Sequence, residues 1–137
     1  QLRSFDRVAA IYDGTRAIPA TAVARIARRL VDLAAAGTSP RILEVGVGTG
    51  RIAAPLVAAG ARVAGLDISP AMLRILQARP EPVDVVLAEA ARQPFRPASF
   101  DGALFVHILH LVPDTAATIE ATLRSVRRGG VLLACST

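Results

Sequence analysis

Five short apolar runs recur along the chain, with helical or punctuated stretches between them. They are Arg41 to Val45, Arg62 to Asp67, Val83 to Leu87, Phe100 to Val106 and Val131 to Cys135. Runs this short and this apolar, bounded by Gly, Pro or Asp, read as buried strands. Ser4 can cap a short helix from Phe5 to about Tyr12. Apolar residues repeat at helical spacing from about Pro19 to Ala36, where Gly37 ends the pattern. Arg51 to Ala59 reads as a helix closed by Gly60, and Ser69 caps another that has Pro70 at its first position and runs to about Ala78. Ala88 to Ser99 is a loop broken by Pro94 and Pro97. Asp114 caps a last helix to about Val126, and Gly129-Gly130 precedes the fifth strand. Strands alternating with helices pair in parallel through right-handed crossovers. The expected architecture is an open, doubly wound α/β sheet with helices on both faces, whose ligand sits beyond the carboxyl ends of the strands.

The densest chemistry lies in Glu44-Val45-Gly46-Val47-Gly48-Thr49-Gly50-Arg51, a strand running through a glycine-rich turn into a helix. Glycines there allow positive φ and close approach of a ligand to the backbone. A tight strand-to-helix turn explains the glycines alone equally well. A dinucleotide site uses G-x-G-x-x-G, but here the third glycine comes one place early and Arg51 takes the final position. Glu44, two residues before Gly46, would repel a pyrophosphate and attract an ammonium. A buried, unpaired Glu is costly, so a ligand or partner should satisfy it. Asp67 follows Gly46 by 21 residues, close to the roughly 20-residue interval at which a carboxylate meets a ribose. Its other reading is a helix cap, a role for which Ser69 is better placed. Glu89 lies just past the third strand, where it can accept from an adenine amino group or simply face solvent.

Composition excludes several classes. The chain has 137 residues, which suits one domain. Its 53% hydrophobic and 20% charged residues exclude a disordered chain. A single cysteine, Cys135, excludes a disulfide framework and a cysteine zinc site. No apolar run reaches the roughly 18 residues that span a bilayer. The net charge is +5 and every basic residue is arginine, but these are scattered along helices and aromatics are only 4%. That pattern reads as a solvated basic surface and argues against a nucleic-acid partner. The chain opens on Gln1 with no signal-peptide pattern, which suggests a shortened N-terminus.

These residues together resemble the class I S-adenosylmethionine-dependent methyltransferases. Glu44, Gly46, Gly48 and Gly50 match the family pattern E/D-x-G-x-G-x-G, and Asp67 matches its next acidic position, followed by Ile68-Ser69-Pro70-Ala71-Met72-Leu73. Ala88-Glu89-Ala90 with Gln93-Pro94-Phe95, Ser99-Phe100-Asp101 leading to Val106-His107, and Leu123 to Gly130 resemble the later motifs. Phe5-Asp6 and Tyr12-Asp13 resemble the opening of the ubiquinone/menaquinone-type small-molecule branch. The resemblance implies a Rossmann-like sheet in the order 3-2-1-4-5, with the C-terminal strands of the usual seven missing. Residues 1–137 would then form one incomplete domain, with residues 1–37 as N-terminal helices ahead of the sheet.

The resemblance also implies a cofactor site for S-adenosylmethionine, or its product S-adenosylhomocysteine. Glu44 and the loop of Gly46, Val47, Gly48 and Gly50 would meet the methionine ammonium, and Asp67 both ribose hydroxyls. Ile68 and Met72 would flank the adenine, with Glu89 or the Ala90 backbone at its amino edge. Val106 would offer a carbonyl, and Tyr12 would cover the cofactor. His107 and His110 are candidate general bases; their spacing also suits a metal, but no third ligand is evident, and simple packing remains open. Asp101 reads as structural and Cys135 as inert core. The absence of an Asn-Pro-Pro-Tyr-like tetrapeptide after Phe105 points away from nucleic-acid methylation. The resulting expectation is a cytoplasmic methyltransferase with a small-molecule acceptor, no metal and no membrane partner, and an open sheet edge that permits dimers. Its rivals are an NAD-type binding module and a catalytically silent scaffold of the same fold. With the sequence stopping at Thr137, the chain is expected to hold cofactor but to lack one wall of the acceptor pocket.

Overall fold

The computed structural model describes residues 5–15, 18–35 and 39–136. The Ser4 cap and the Gly37 stop lie outside these residues. A 3-10 helix, Asp6–Ile11, leads into α1, Tyr12–Thr15, and then α2, Ala20–Ala34. The remaining elements are β1 Arg41–Val45, α3 Ala53–Ala58, β2 Arg62–Asp67, α4 Pro70–Gln77, β3 Val83–Leu87, β4 Phe100–Val106, α5 Thr115–Ser125 and β5 Val126–Cys135.

The sheet has five strands in the order β3-β2-β1-β4-β5, and every pairing is parallel. β1 is central because Arg41 to Val45 pairs with β2 on one side and β4 on the other. Strand alternation then sorts the side chains into two layers. Ile42, Val63 and Leu104 pack beneath α2, α3 and α4, against Ala27, Leu30, Leu56 and Leu76. Leu43, Val45, Leu66 and Phe105 face the opposite way, toward Ile119 of α5 and Phe95 of the loop after β3. Burying a side chain such as Leu30, Leu56 or Leu76 contributes about 1.5–3 kcal/mol.

Two local signals act as the sequence predicts. Ser69 Oγ accepts from Met72 N–H at the start of α4, and Asp114 caps α5 by accepting from Ala117 N–H at 2.8 Å. Other expectations need correction. β5 begins at Val126, not Val131, because Val126 pairs with Phe100 across a register shift. Gly129-Gly130 is therefore strand, and Gly130 lies so close to the Asp101 and Arg127 carbonyls that a Cβ would collide with them. The edge strands are also only half covered: Leu87 is 58% and Leu132 36% exposed. Cys135, at the end of β5, is half-buried rather than core.

Asp101 is structural, as expected. It pairs with Arg127 at 3.0 Å and Arg41 at 3.7 Å and accepts from Arg41 N–H, tying β4 to β1 and β5. Burial pushes its carboxyl up, but these donors outweigh burial and hold it below the ordinary carboxylate value.

Candidate functional site

The carboxyl ends of β1, β2 and β4 converge on the glycine loop. Gly46 and Val47 donate their N–H groups to Leu66 O at 2.8 and 3.0 Å, Gly50 donates to Val47 O, and Gly48 donates to Asp67 Oδ2 at 2.8 Å. All four of these N–H groups point into the protein. These four are therefore not free to cradle a phosphate, which needs such groups turned outward. Gly46, Gly48 and Gly50 all have positive φ. Their surroundings differ. A Cβ on Gly50 would run into Leu76 of α4, so this glycine serves helix packing, whereas the space in front of Gly48 is open.

Glu44 is 2% exposed. The Ala53 N–H at the start of α3 reaches its carboxyl, but Oε2 has no hydrogen-bond partner among the described residues. Burial pushes this carboxyl well above its ordinary value; the nearby Asp67 charge adds to the rise, and the Ala53 N–H opposes it. Asp67 accepts from Gly48 N–H with one oxygen and from Ser69 N–H, at 2.9 Å, with the other. Burial raises its carboxyl too, against the pull of those N–H groups.

Two cavities meet at Gly46. The first, about 220 Å³, is lined by Tyr12, Ile18, Glu44, the Gly46 to Thr49 loop, Arg51, Ile52, Val106 and His107. The second, about 270 Å³, is lined by Asp67, Ile68, Glu89 and Ala90 together with the apolar Leu66, Ile108, Leu111 and Val112. The structure thus brings Glu44, Gly46, Val47, Gly48, Tyr12, Val106 and His107 to one cavity and Asp67, Ile68, Glu89 and Ala90 to the other. It leaves three sequence-predicted residues aside. Met72 is 2% exposed and lines neither cavity. Gly50 packs on α4. His110 is exposed and also lines neither cavity. His107 is different: its backbone is left-handed, with φ 53°, and its N–H donates to Cys135 O. A non-glycine residue held there costs roughly 1–3 kcal/mol, a strain typical of functional positions.

A family model for a methyltransferase domain matches residues 43–134, the stretch holding the glycine loop, Asp67 and His107. The chain belongs to this family. It is a methyltransferase domain with the class I fold. A demethylmenaquinone methyltransferase of Renibacterium salmoninarum is 34% identical over 130 residues, which cover 94% of this chain and 55% of that relative. The chain spans about half the length of the curated relatives it matches. A candidate S-adenosyl-L-methionine-dependent methyltransferase of Methanococcus maripaludis shares the fold with a TM-score of 0.82 at 16% identity, over 96% of this chain and 64% of that one. The [4+2]-cyclase SpnF shares it at 0.69 and 23% identity, over 80% and 43%.

The methyltransferase domain carries a further feature that reading the sequence missed. Its N-terminal segment is strapped across the site by two carboxylates. Asp6 accepts from Ser69 Oγ and from Ala71 N–H, at the start of α4. Asp13 accepts from Thr49 Oγ1 and from Arg79 at 3.1 Å, and Arg79 also donates to Thr49 O at 2.6 Å. The strap carries Phe5 over the second cavity and Tyr12 over the first, with their rings edge to face at 5.6 Å. The resemblance placed Phe5-Asp6 and Tyr12-Asp13 in the chain but gave Asp6 and Asp13 no role, and Arg51 and Arg79 none either.

Proposed function

We propose that the two joined cavities bind S-adenosylmethionine and that the protein containing this chain transfers its methyl group to a small-molecule acceptor. The observation that carries this reading is Glu44 Oε2, buried without a partner among the described residues, beside a loop in which the Gly46, Val47, Gly48 and Gly50 N–H groups are already donated within the protein. That combination suits a cation and rejects a pyrophosphate, so it disfavours the NAD-type reading. Glu44 would take the methionine ammonium, and the open space at Gly48 would let the ligand chain approach the backbone. Asp67 would hold the ribose hydroxyls, with Ile68, Glu89 and Ala90 around the adenine in the second cavity. S-adenosylmethionine brings a methyl already activated on a sulfonium sulfur, so an aligned acceptor displaces it directly and the C–S electron pair stays on sulfur.

The protein's task is alignment and exclusion of water. Tyr12, Ile18, Ile52 and Val106 make an apolar wall in the first cavity, and His107 stands at its edge as the candidate base for an acceptor that must lose a proton. The names of the curated relatives favour a quinone-type ring as that acceptor. The same fold in a cyclase keeps a second reading open, a domain that holds cofactor without transferring methyl. The deciding experiment incubates the protein with methyl-labelled S-adenosylmethionine and a reduced demethylated naphthoquinol. Label in the quinone supports methyl transfer; tight cofactor binding without label, across a panel of small acceptors, supports the second reading.

A further inference from the structure

A buried polar ladder on α5 takes no part in the cofactor reading. Thr118, Thr122 and Ser125 are all buried, on successive turns of the helix. Each hydroxyl donates to a carbonyl one turn back: Thr118 to Asp114 O at 2.8 Å, Thr122 to Thr118 O at 2.9 Å and Ser125 to Ala121 O at 3.1 Å. Those bonds use the hydroxyl protons and leave the oxygens able to accept. Gln93, on the loop between β3 and β4, uses one of them. Its Nε2 donates to Thr122 Oγ1 at 2.6 Å and to Ala90 O at 2.9 Å. Both partners can only accept, so they fix the orientation of the carboxamide and engage both of its N–H groups. Gln93 itself lines neither cavity.

We infer that Gln93 is a positioning residue that sets the base specificity of the second cavity; the inference rests on the cofactor reading above. That cavity is lined both by Ala88 to Arg92 and by Asp114, Ala117 and Thr118 at the start of α5. The loop is tied to β2 where Ala88 N–H donates to Asp67 O at 3.0 Å, and it turns back on itself where Arg92 N–H donates to Glu89 O at 2.9 Å. Neither bond reaches α5. The Gln93 carboxamide does, by joining Ala90 O to Thr122. Glu89, within the same turn, presents a carboxylate whose side chain is 44% exposed and whose ion pair with Arg92 spans 3.9 Å. A carboxylate accepts from the exocyclic amino group of a base and opposes a ring carbonyl oxygen. It separates the two only while the turn holds it at hydrogen-bond distance, since such bonds weaken steeply as their geometry loosens. Gln93 thus acts on the ligand through Glu89 and Ala90, by fixing their turn to the helix that lines the same cavity.

The test measures binding of S-adenosylhomocysteine and of S-inosylhomocysteine, which carries a ring carbonyl in place of the amino group, by calorimetry. Wild-type protein is compared with Gln93→Met, which keeps the side-chain length without its donors, and with Thr122→Val and Thr122→Ser, which remove and keep the hydroxyl that anchors Gln93. Wild-type protein is expected to prefer S-adenosylhomocysteine roughly 10- to 150-fold. Gln93→Met and Thr122→Val should each shrink that ratio roughly 3- to 10-fold, by weakening the amino ligand more than the carbonyl ligand, and Thr122→Ser should keep it. A cross-link that only stabilised the fold would lower the melting temperature and leave the ratio unchanged. That result, or equal binding of both ligands by wild-type protein, overturns the inference and leaves the cofactor reading standing. If wild-type protein binds neither ligand, the cofactor reading itself falls and takes this inference with it.

Discussion

Gly48 and Asp67, 19 residues apart in the chain, are joined by a 2.8 Å hydrogen bond from the glycine N–H to the carboxylate. The bond fastens the loop after β1 to the end of β2, where the sheet order turns outward to β3. The carboxylate proposed to hold the ribose is therefore oriented before any ligand arrives. Asp67→Ala should weaken S-adenosylhomocysteine binding roughly 10- to 150-fold, since a hydrogen bond to an ionised group contributes about 1.5–3 kcal/mol. Titration calorimetry on variant protein with an unchanged circular-dichroism spectrum checks this; unchanged affinity removes Asp67 from the site.

Glu44 makes a prediction about pH. Its carboxyl is raised above the ordinary value of 4.5, so the folded protein holds this proton after the unfolded chain has lost it. Stability of the ligand-free protein must then fall as pH rises from about 4.5 through the folded-state value. Asp67 acts in the same direction from 3.8. Asp101 acts oppositely: its contribution is present above 3.8 and is lost as pH falls through its lowered value. Glu44→Gln removes only the first of these. The variant should gain thermal stability over wild type as pH increases from about 5 to 8, and cofactor affinity should rise with pH in wild type but stay flat in the variant. Parallel melting curves for the two proteins across that range would exclude an ionisation of Glu44 from the balance.

The second and third glycines of the loop separate packing from binding. Gly50 has φ +83° and a Cβ there meets Leu76, so Gly50→Ala should destabilise the fold by about 2–4 kcal/mol. Gly48 has φ +55° and open space, so Gly48→Ala should cost only about 1–2 kcal/mol while crowding the ligand path. Urea denaturation ranks the two variants by stability, and cofactor titration should rank them in reverse. A Gly48→Ala protein with full affinity would show that the ligand does not pass this residue.

The strap gives a dynamic expectation. Asp13 is part-exposed, so losing its contacts with Arg79 and Thr49 should cost about 1 kcal/mol of stability. Asp13→Ala should nevertheless speed amide hydrogen exchange across residues 5–15 and raise the cofactor dissociation rate. Unaltered exchange there would show that other contacts hold the segment.

Much of the fold was legible in the sequence, and the residues show why. β1 to β4 begin and end where the apolar runs do, because Pro40, Gly46, Gly60 and Pro82 punctuate them. Ser69 and Asp114 cap their helices through bonds spanning three residues. What stayed hidden depends on distant partners. The start of β5 is set by Val126 finding Phe100, and the Asp6 and Asp13 contacts reach 36 to 66 residues along the chain. Met72 illustrates a different limit: its motif position matched, but it lies on the buried face of α4 and lines neither cavity.

On the proposed function, this site takes a cationic amino-acid nucleoside and not a dinucleotide. Thermal denaturation with S-adenosylhomocysteine and, separately, with NAD tests it most directly. At about 100 times its dissociation constant, S-adenosylhomocysteine should stabilise the protein by roughly 2.7 kcal/mol, and NAD at the same concentration should leave the melting temperature unchanged. Stabilisation by NAD with none by S-adenosylhomocysteine would contradict the account.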